Sequence, residues 1–215
     1  MSEHLNKIPY PAREEELVQL FYHDIVYAWL LLHSHFSQEE THNYIYKKDF
    51  SCTSIGRSCH KNRNTVATHI KKLVNEGFLR DCGEYYTMPH FPRFQYLHGK
   101  TIFGLITLQL NKEILDGTIS AYAYLWNLYD FEKQHTDNPV FRMSMTQLGK
   151  HLGLTMTHNS SYDKIRTIIT ILSGAGLIEY HVIDVHNTPL QLSTLEFTKV
   201  NWKAKEDWLK LIKGF

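Results

Sequence analysis

Apolar residues along the 215-residue chain recur at helical spacing in several separate stretches, and one arrangement of them occurs twice. From Ser51 the sequence runs Ser51-Cys52-Thr53-Ser54-Ile55-Gly56-Arg57, and from Ser144 it runs Ser144-Met145-Thr146-Gln147-Leu148-Gly149-Lys150. Both copies read S-x-T-x-[IL]-G-[KR]. Their apolar positions stay in step, Cys52 with Met145, Ile55 with Leu148 and Cys59 with Leu152, at the i, i+3, i+7 spacing of one helix face. The serine that opens each copy is the expected N-cap. Downstream, Val66, Ile70 and Leu73 in the first copy and Ile165, Ile169 and Leu172 in the second predict a further helix. Each ends at a glycine and an apolar pair, Gly77-Phe78-Leu79 and Gly176-Leu177-Ile178, where glycine readily takes the left-handed conformation that stops a helix. The shift between copies is 93 residues at the opening motif and 99 at the closing glycine. Six additional residues are therefore expected between the two helices of the second copy, in the polar stretch Thr155 to Ser161.

Each glycine is followed by two strand-like runs and a turn. In the first copy these are Phe78 to Arg80, the turn Asp81-Cys82-Gly83-Glu84 with the glycine a tight hairpin needs, and Tyr85 to Met88. In the second they are Ile178 to Asp184, a turn around His186 to Pro189, and Leu192 to Lys199. A longer helix precedes each copy, Glu14 to Phe36 and Ile119 to Gln134, with a short strand between at Tyr44 to Lys47 and Val140 to Arg142. Leu17, Leu20, Phe21, Ile25, Ala28, Trp29 and Leu32 recur at helical spacing and are expected in the core. The tail, Trp202 to Phe215, reads as an amphipathic helix docking on the body or across a dimer.

The stretch from Ser54 to Leu73, followed by Glu76-Gly77-Phe78-Leu79, resembles bacterial winged-helix DNA-binding domains of the transcription-regulator type, and covers about an eighth of the chain. Two such units in one polypeptide also resemble plasmid and phage replication initiators of Gram-positive bacteria. The turn His60-Lys61-Asn62 departs from the pattern by lacking the more usual glycine. The resemblance implies a mainly α fold with small β wings (α+β), two tandem winged helix-turn-helix domains plus a C-terminal helix. The expected boundaries are 1–100 for a DNA-binding domain, 101–118 for a connector, 119–200 for a second domain used in packing or dimerisation, and 201–215 for the terminal helix.

Charge sharpens this reading. The net charge is only +1, but residues 44–100 carry ten basic side chains against four acidic ones, whereas residues 1–43 sum to −5 and residues 119–200 to −1. A polyanion partner is expected for the cationic segment. If Asn62 to Asn75 is the recognition helix, burying Val66, Ile70 and Leu73 leaves Arg63, Asn64, Thr65, Thr68, His69 and Lys72 on one face. Arginine can read guanine and asparagine adenine in the major groove, so Arg63 and Asn64 are the expected base readers. Thr65, Thr68, His69, Lys71 and Lys72 suit phosphates and flanking bases. The wing offers Arg80, Tyr85 and Tyr86, with Lys47, Lys48, Arg57 and Lys61 around the rim. In the second copy His69 becomes Ile168, Lys71 becomes Thr170 and Lys72 becomes Ile171, so that helix is expected to be buried, with Lys164 and Arg166 as its remaining basic groups.

Composition and motifs exclude much else. No apolar run approaches a membrane span, and the amino terminus lacks the basic-then-apolar order of an export signal. A cytoplasmic protein is expected. Cys52, Cys59 and Cys82 stand at no zinc-ribbon spacing and point to no disulfide framework. No His-Glu-x-x-His pattern, phosphate loop or nucleophile elbow occurs, so neither catalytic residues, metal nor cofactor are expected. The leading expectation is a non-enzymatic transcription regulator on double-stranded DNA, as a homodimer or an internal pseudo-dimer. The alternatives are a replication initiator that binds origin repeats through both units and recruits a partner protein, and a protein-interaction adaptor without DNA binding.

Overall fold

The computed structural model describes residues 7–38, 42–89, 91–107, 116–183 and 194–212. The architecture is mixed α+β with small antiparallel sheets. The first copy of the sequence repeat is built from α2 (Asp24–Leu32), β3 (His42–Tyr46), α3 (Cys52–Ser58), α4 (Arg63–Asn75), β4 (Arg80–Asp81) and β5 (Tyr85–Met88). The second uses α6 (Thr118–Lys133), β7 (Phe141–Ser144), α7 (Met145–His151), α8 (Asn159–Gly174), β8 (Ile178–Ile183) and β9 (Thr194–Val200). The strands pair alike in both, in the order β3-β5-β4 and β7-β9-β8, so the last strand of each copy lies between the other two. The first sheet gains an outer strand, β2 (His35–Ser37), beside β3. The turn expected around His186 to Pro189 lies outside the described residues.

The repeated motif builds the same local device twice. Ser51 and Ser144 each cap their helix in a reciprocal box, with Ser54 and Gln147 answering from three residues on. Gly56 and Gly149 sit where the following turn presses on the helix: an added Cβ would collide with the Lys61 carbonyl oxygen at the first and with the Met156 side chain at the second. From each glycine a carbonyl accepts the N–H five residues on, Lys61 at 2.9 Å and Leu154 at 2.8 Å. The turn needs one residue with positive φ. The second copy uses Gly153 (φ 74°), whereas the first uses His60 (φ 51°), the one non-glycine residue in that region among those described. The missing glycine is thus replaced by a histidine that bears the left-handed geometry itself, a conformation that crowds its Cβ. The six additional residues of the second copy are divided: the linker between α7 and α8 is longer than that between α3 and α4, and α8 itself runs 16 residues against 13 for α4.

Elements outside the repeat bind the copies together. β1 (Lys7–Pro11) pairs antiparallel with β6 (Phe94–His98). The helix expected over Glu14 to Phe36 is broken: α1 (Glu14–Leu20) and α2 are separated by the turn 21–23, and the chain enters β2 after His33. The segment expected as a connector is, over residues 101–107, part of α5 (Gly99–Thr107), with Thr101, Ile102, Gly104, Leu105 and Ile106 buried. The tail contributes a short helix, α9 (Glu206–Lys210), that docks on α5. Trp208 and Ile212 press so closely there that a Cβ on Gly104 would lie 2.5 Å from Ile212 Cδ1. One hydrophobic core runs through both copies, so the boundaries near 100 and 119 do not separate two cores. No described helix is long and apolar enough to cross a membrane.

The break before α2 places Asp24, fully buried, against the start of α6. Its carboxylate accepts the N–H groups of Gly117 (3.1 Å to each oxygen), Ile119 (3.0 Å) and Ser120 (3.1 Å). These are the donors that the first turn of a helix leaves unmatched, and Gly117 and Thr118 offer no side-chain cap of their own. An acidic group from the first copy therefore caps the second copy's leading helix. Burial and the nearby Asp116 carboxylate outweigh these donors and hold the Asp24 carboxyl up at about 7, against an ordinary 3.8. Between those values the folded chain binds more protons than the unfolded one, so this group's contribution to stability is largest at acid pH and is lost as pH rises towards 7. Asp24→Asn keeps an acceptor and removes the titration: in urea melts the variant should gain on the wild type as pH rises from 4 to 8. Asp24→Leu, which strands the donors, should cost about 3 kcal/mol at pH 5.

Candidate nucleic-acid interface

Helix α4 begins at Asn62, whose side-chain oxygen accepts the Thr65 N–H at 2.8 Å. Val66, Ile70 and Leu73 hold one side of the helix in the core. The other side projects Arg63, Asn64 and Thr68, all exposed, with Thr65 half-buried beside them. Together with Asn62 and His69 they line a shallow, open concavity of about 550 Å³ at the amino end of the helix. The Arg63 and Asn64 side chains form no hydrogen bond or ion pair with any described residue. Thr68 is turned back, its hydroxyl donating to the Asn64 carbonyl at 3.0 Å. Lys71 and Lys72 are exposed further along. The helix thus presents a fork of five donors and an amide at its amino end and two ammonium groups beyond, with no acidic side chain in its first turn.

His69 does not belong to this outward set. It is only 9% exposed, meets His23 edge-on at 4.7 Å, and leaves its Nδ1 buried. Desolvation pulls its pKa down to about 4, opposed by Asp116 and reinforced by His23 and Lys61. The spacing shows why: His69 is three residues from Val66 and four from Leu73, on the inward stripe, and its partner in the repeat, Ile168, is fully buried. The repeat carried the signal; the polar side chain masked it. Lys61 is also committed. Its Nζ bonds Asp116 at 2.8 Å and its side chain is 9% exposed, so it serves the seam around Asp24. Asp116 lies 55 residues away, and nothing local in the sequence signalled the pairing.

The remaining cationic positions fall on other surfaces. Lys47 bonds Asp81 at 2.6 Å and lies 4.5 Å over the Tyr86 ring, which occupies its charge within the sheet. Lys48 is exposed, 5.0 Å over the Tyr46 ring. Arg57 on α3 and Arg80 on β4 are exposed, and Tyr85 is half-buried against Tyr44 and Tyr46. Arg63, Asn64, Thr65, Thr68, Lys71 and Lys72 therefore form one helical surface, while Arg80 and Tyr85 belong to the sheet and Lys48 to the turn that follows β3.

The corresponding helix of the second copy, expected to be buried, buries only the same stripe as α4 and keeps Asp163, Arg166 and Thr170 exposed. Ile165, Ile168, Ile169 and Leu172 are buried and Ile171 half-buried. Lys164 lies 5.0 Å over the Phe21 ring and 4.6 Å over the Tyr22 ring, and Arg166 bonds Asp163 at 3.2 Å. The turn before α8 abuts α1: a Cβ on Gly153 would lie 2.6 Å from Val18 Cγ1, and His151 bonds Glu14 at 2.8 Å. Among the described residues no group of three histidine, cysteine, aspartate or glutamate side chains is placed to hold a metal ion. Comparison with family models, curated proteins and solved structures returns no match to this chain.

Because His69 is held neutral, the folded chain binds fewer protons than the unfolded one between pH about 4 and 6.5. Its contribution to stability is intact above that window and falls as pH drops through it. Urea melts of His69→Leu should show a smaller acid-induced loss than wild type, by about 1 kcal/mol after solvent screening. An equal loss in both proteins would contradict the placement.

Proposed function

We propose that the chain is a non-enzymatic, sequence-specific double-stranded DNA-binding protein, a bacterial transcription regulator, built from two tandem winged helix-turn-helix units. The observation that carries this is the amino end of α4, where Arg63 and Asn64 stand exposed and unengaged on a helix of the +6 segment. A helix of this width enters the major groove, where arginine forks onto guanine and asparagine onto adenine. Lys71 and Lys72 supply phosphate contacts that set register without reading sequence. The repeated order of helices and strands and the common sheet order support the winged-helix reading.

The second unit has a different task. Lys164, which would flank a groove in a DNA-reading copy, is stacked on Phe21 and Tyr22. One reading helix per chain does not fit an internal pseudo-dimer on a palindrome; it fits a homodimer on an inverted repeat. It also fits successive chains on directly repeated sites, the pattern of a replication initiator, and a footprint distinguishes the two by the orientation of the protected half-sites. A cytoplasmic location follows from this reading, and neither cofactor nor metal enters it.

The test is a duplex selected from a randomised pool, with affinity measured against a scrambled duplex. The double variant Arg63→Ala, Asn64→Ala should lose about tenfold or more of the discrimination while helix content is unchanged, since each bidentate contact is worth about 1–3 kcal/mol. Lys71→Ala with Lys72→Ala should weaken both duplexes alike and flatten the salt dependence by about two counterions. Discrimination that survives in the double variant would contradict the assignment.

A further inference from the structure

The outward face of the first sheet carries a feature that a duplex-reading helix does not require. Side chains alternate across a strand, and Ile45 on β3 and Met88 on β5 point into the core, 1% and 3% exposed. Tyr44 and Tyr46 on β3 and Tyr85 on β5 therefore lie on the opposite face, with Tyr46 directly across from Tyr85 in the ladder. The three rings form a closed triangle of edge contacts, with centroids 5.5 Å apart for Tyr44–Tyr46, 5.9 Å for Tyr46–Tyr85 and 6.2 Å for Tyr44–Tyr85. His35 on β2 extends the row, its ring 5.6 Å from Tyr44. Each tyrosine is only half-buried, so the cluster is an aromatic surface at the edge of the protein and not part of its core.

Charge says what such a surface takes. Lys48 stands 5.0 Å over the Tyr46 ring, and Arg80 on the neighbouring strand, across from Thr87, is exposed on the same face. The acid of that strand, Asp81, falls on the alternate face, where Lys47 already neutralises it. Aromatic faces flanked by cations match an oligoanion with flat, apolar rings. In a duplex the base faces are stacked on one another and out of reach; in a single strand they are open to side-chain rings.

We propose that this sheet face, centred on Tyr44, Tyr46 and Tyr85 with Lys48 and Arg80 at its rim, binds single-stranded nucleic acid by stacking unpaired bases on the tyrosines. This does not rest on the reading of α4. A chain with both surfaces holds a duplex and an adjoining unpaired strand at once, as at a site where DNA is opened.

The experiment is fluorescence anisotropy of the full chain with a labelled oligo(dT) of about 20 nucleotides, beside the selected duplex. Tyr46→Leu and Tyr85→Leu should each weaken oligo(dT) about tenfold, as expected for loss of one stacked base, and Tyr46→Phe and Tyr85→Phe should stay within about twofold. Tyr46→Leu should leave binding of the duplex unchanged. Should a leucine variant unfold, the exposed changes Lys48→Ala and Arg80→Ala carry the test, each lowering the salt slope for oligo(dT) by about 0.7. No binding of oligo(dT) by the wild type, or binding unaffected by all these changes, would overturn the proposal. Equal weakening of duplex and oligo(dT) by the leucine variants would also overturn it, making the face a duplex-gripping wing. Loss of duplex discrimination in the α4 variant with oligo(dT) binding intact separates the two surfaces.

Discussion

The structure turns on a carboxylate removed from water. Asp24 is fully buried, and the cost of burying it is offset only in part by the three backbone N–H groups it accepts at the head of α6. Two copies of one fold unit, sharing one core, meet at that contact. Lys61 and Asp116 add an ionic pair beside it, and α1 with the turn after it wedges between the copies, Val18 against the turn of the second and Phe21 against Gly117. Remove the carboxylate and the start of α6 has donors with nothing to receive them. The relative placement of the two copies, and with it the orientation of α4 and α8, follows from this seam.

The two copies share a scaffold and differ in their faces. Common to both are the capping serines, the glycines at 56 and 149, where a Cβ would collide, the apolar stripe and a left-handed residue in the turn. What differs lies on the helix surface. In the first copy Arg63, Asn64, Lys71 and Lys72 are in solvent; in the second their places are taken by Tyr162, Asp163, Thr170 and Ile171, and Lys164 lies on aromatic rings. The first face is cationic and open; its counterpart carries Asp163 and Thr170 in solvent, with Lys164 and Ile171 partly covered.

Much of the fold was legible because a repeat doubles every signal. The bounds of α4 and α6, the two capping serines and the hairpin after Gly77 all follow from periodicity and turn chemistry. Long-range effects did not show. The break between Leu20 and Asp24 makes sense only with α6 in place, and the burial of α5 depends on β6, α2 and α9 around it. At the candidate site, Arg63, Asn64, Lys71 and Lys72 were legible as the polar side of an amphipathic helix. Lys61 was not, because its partner is distant in sequence, and His69 was misjudged by giving its polarity more weight than its place on the stripe. The tyrosine cluster is three positions on two strands, visible only once β3 and β5 are in register.

The central claim is that of two helices built to one plan, α4 lies on duplex DNA and α8 does not. A photo-crosslinking side chain placed at Asn64, or at its repeat counterpart Asp163, both exposed, tests this directly on the intact chain bound to a selected duplex. Crosslinks to the bases from position 64 and none from position 163 are the expected result. Crosslinking from 163 as strong as from 64, or from neither while the duplex remains bound, would contradict it.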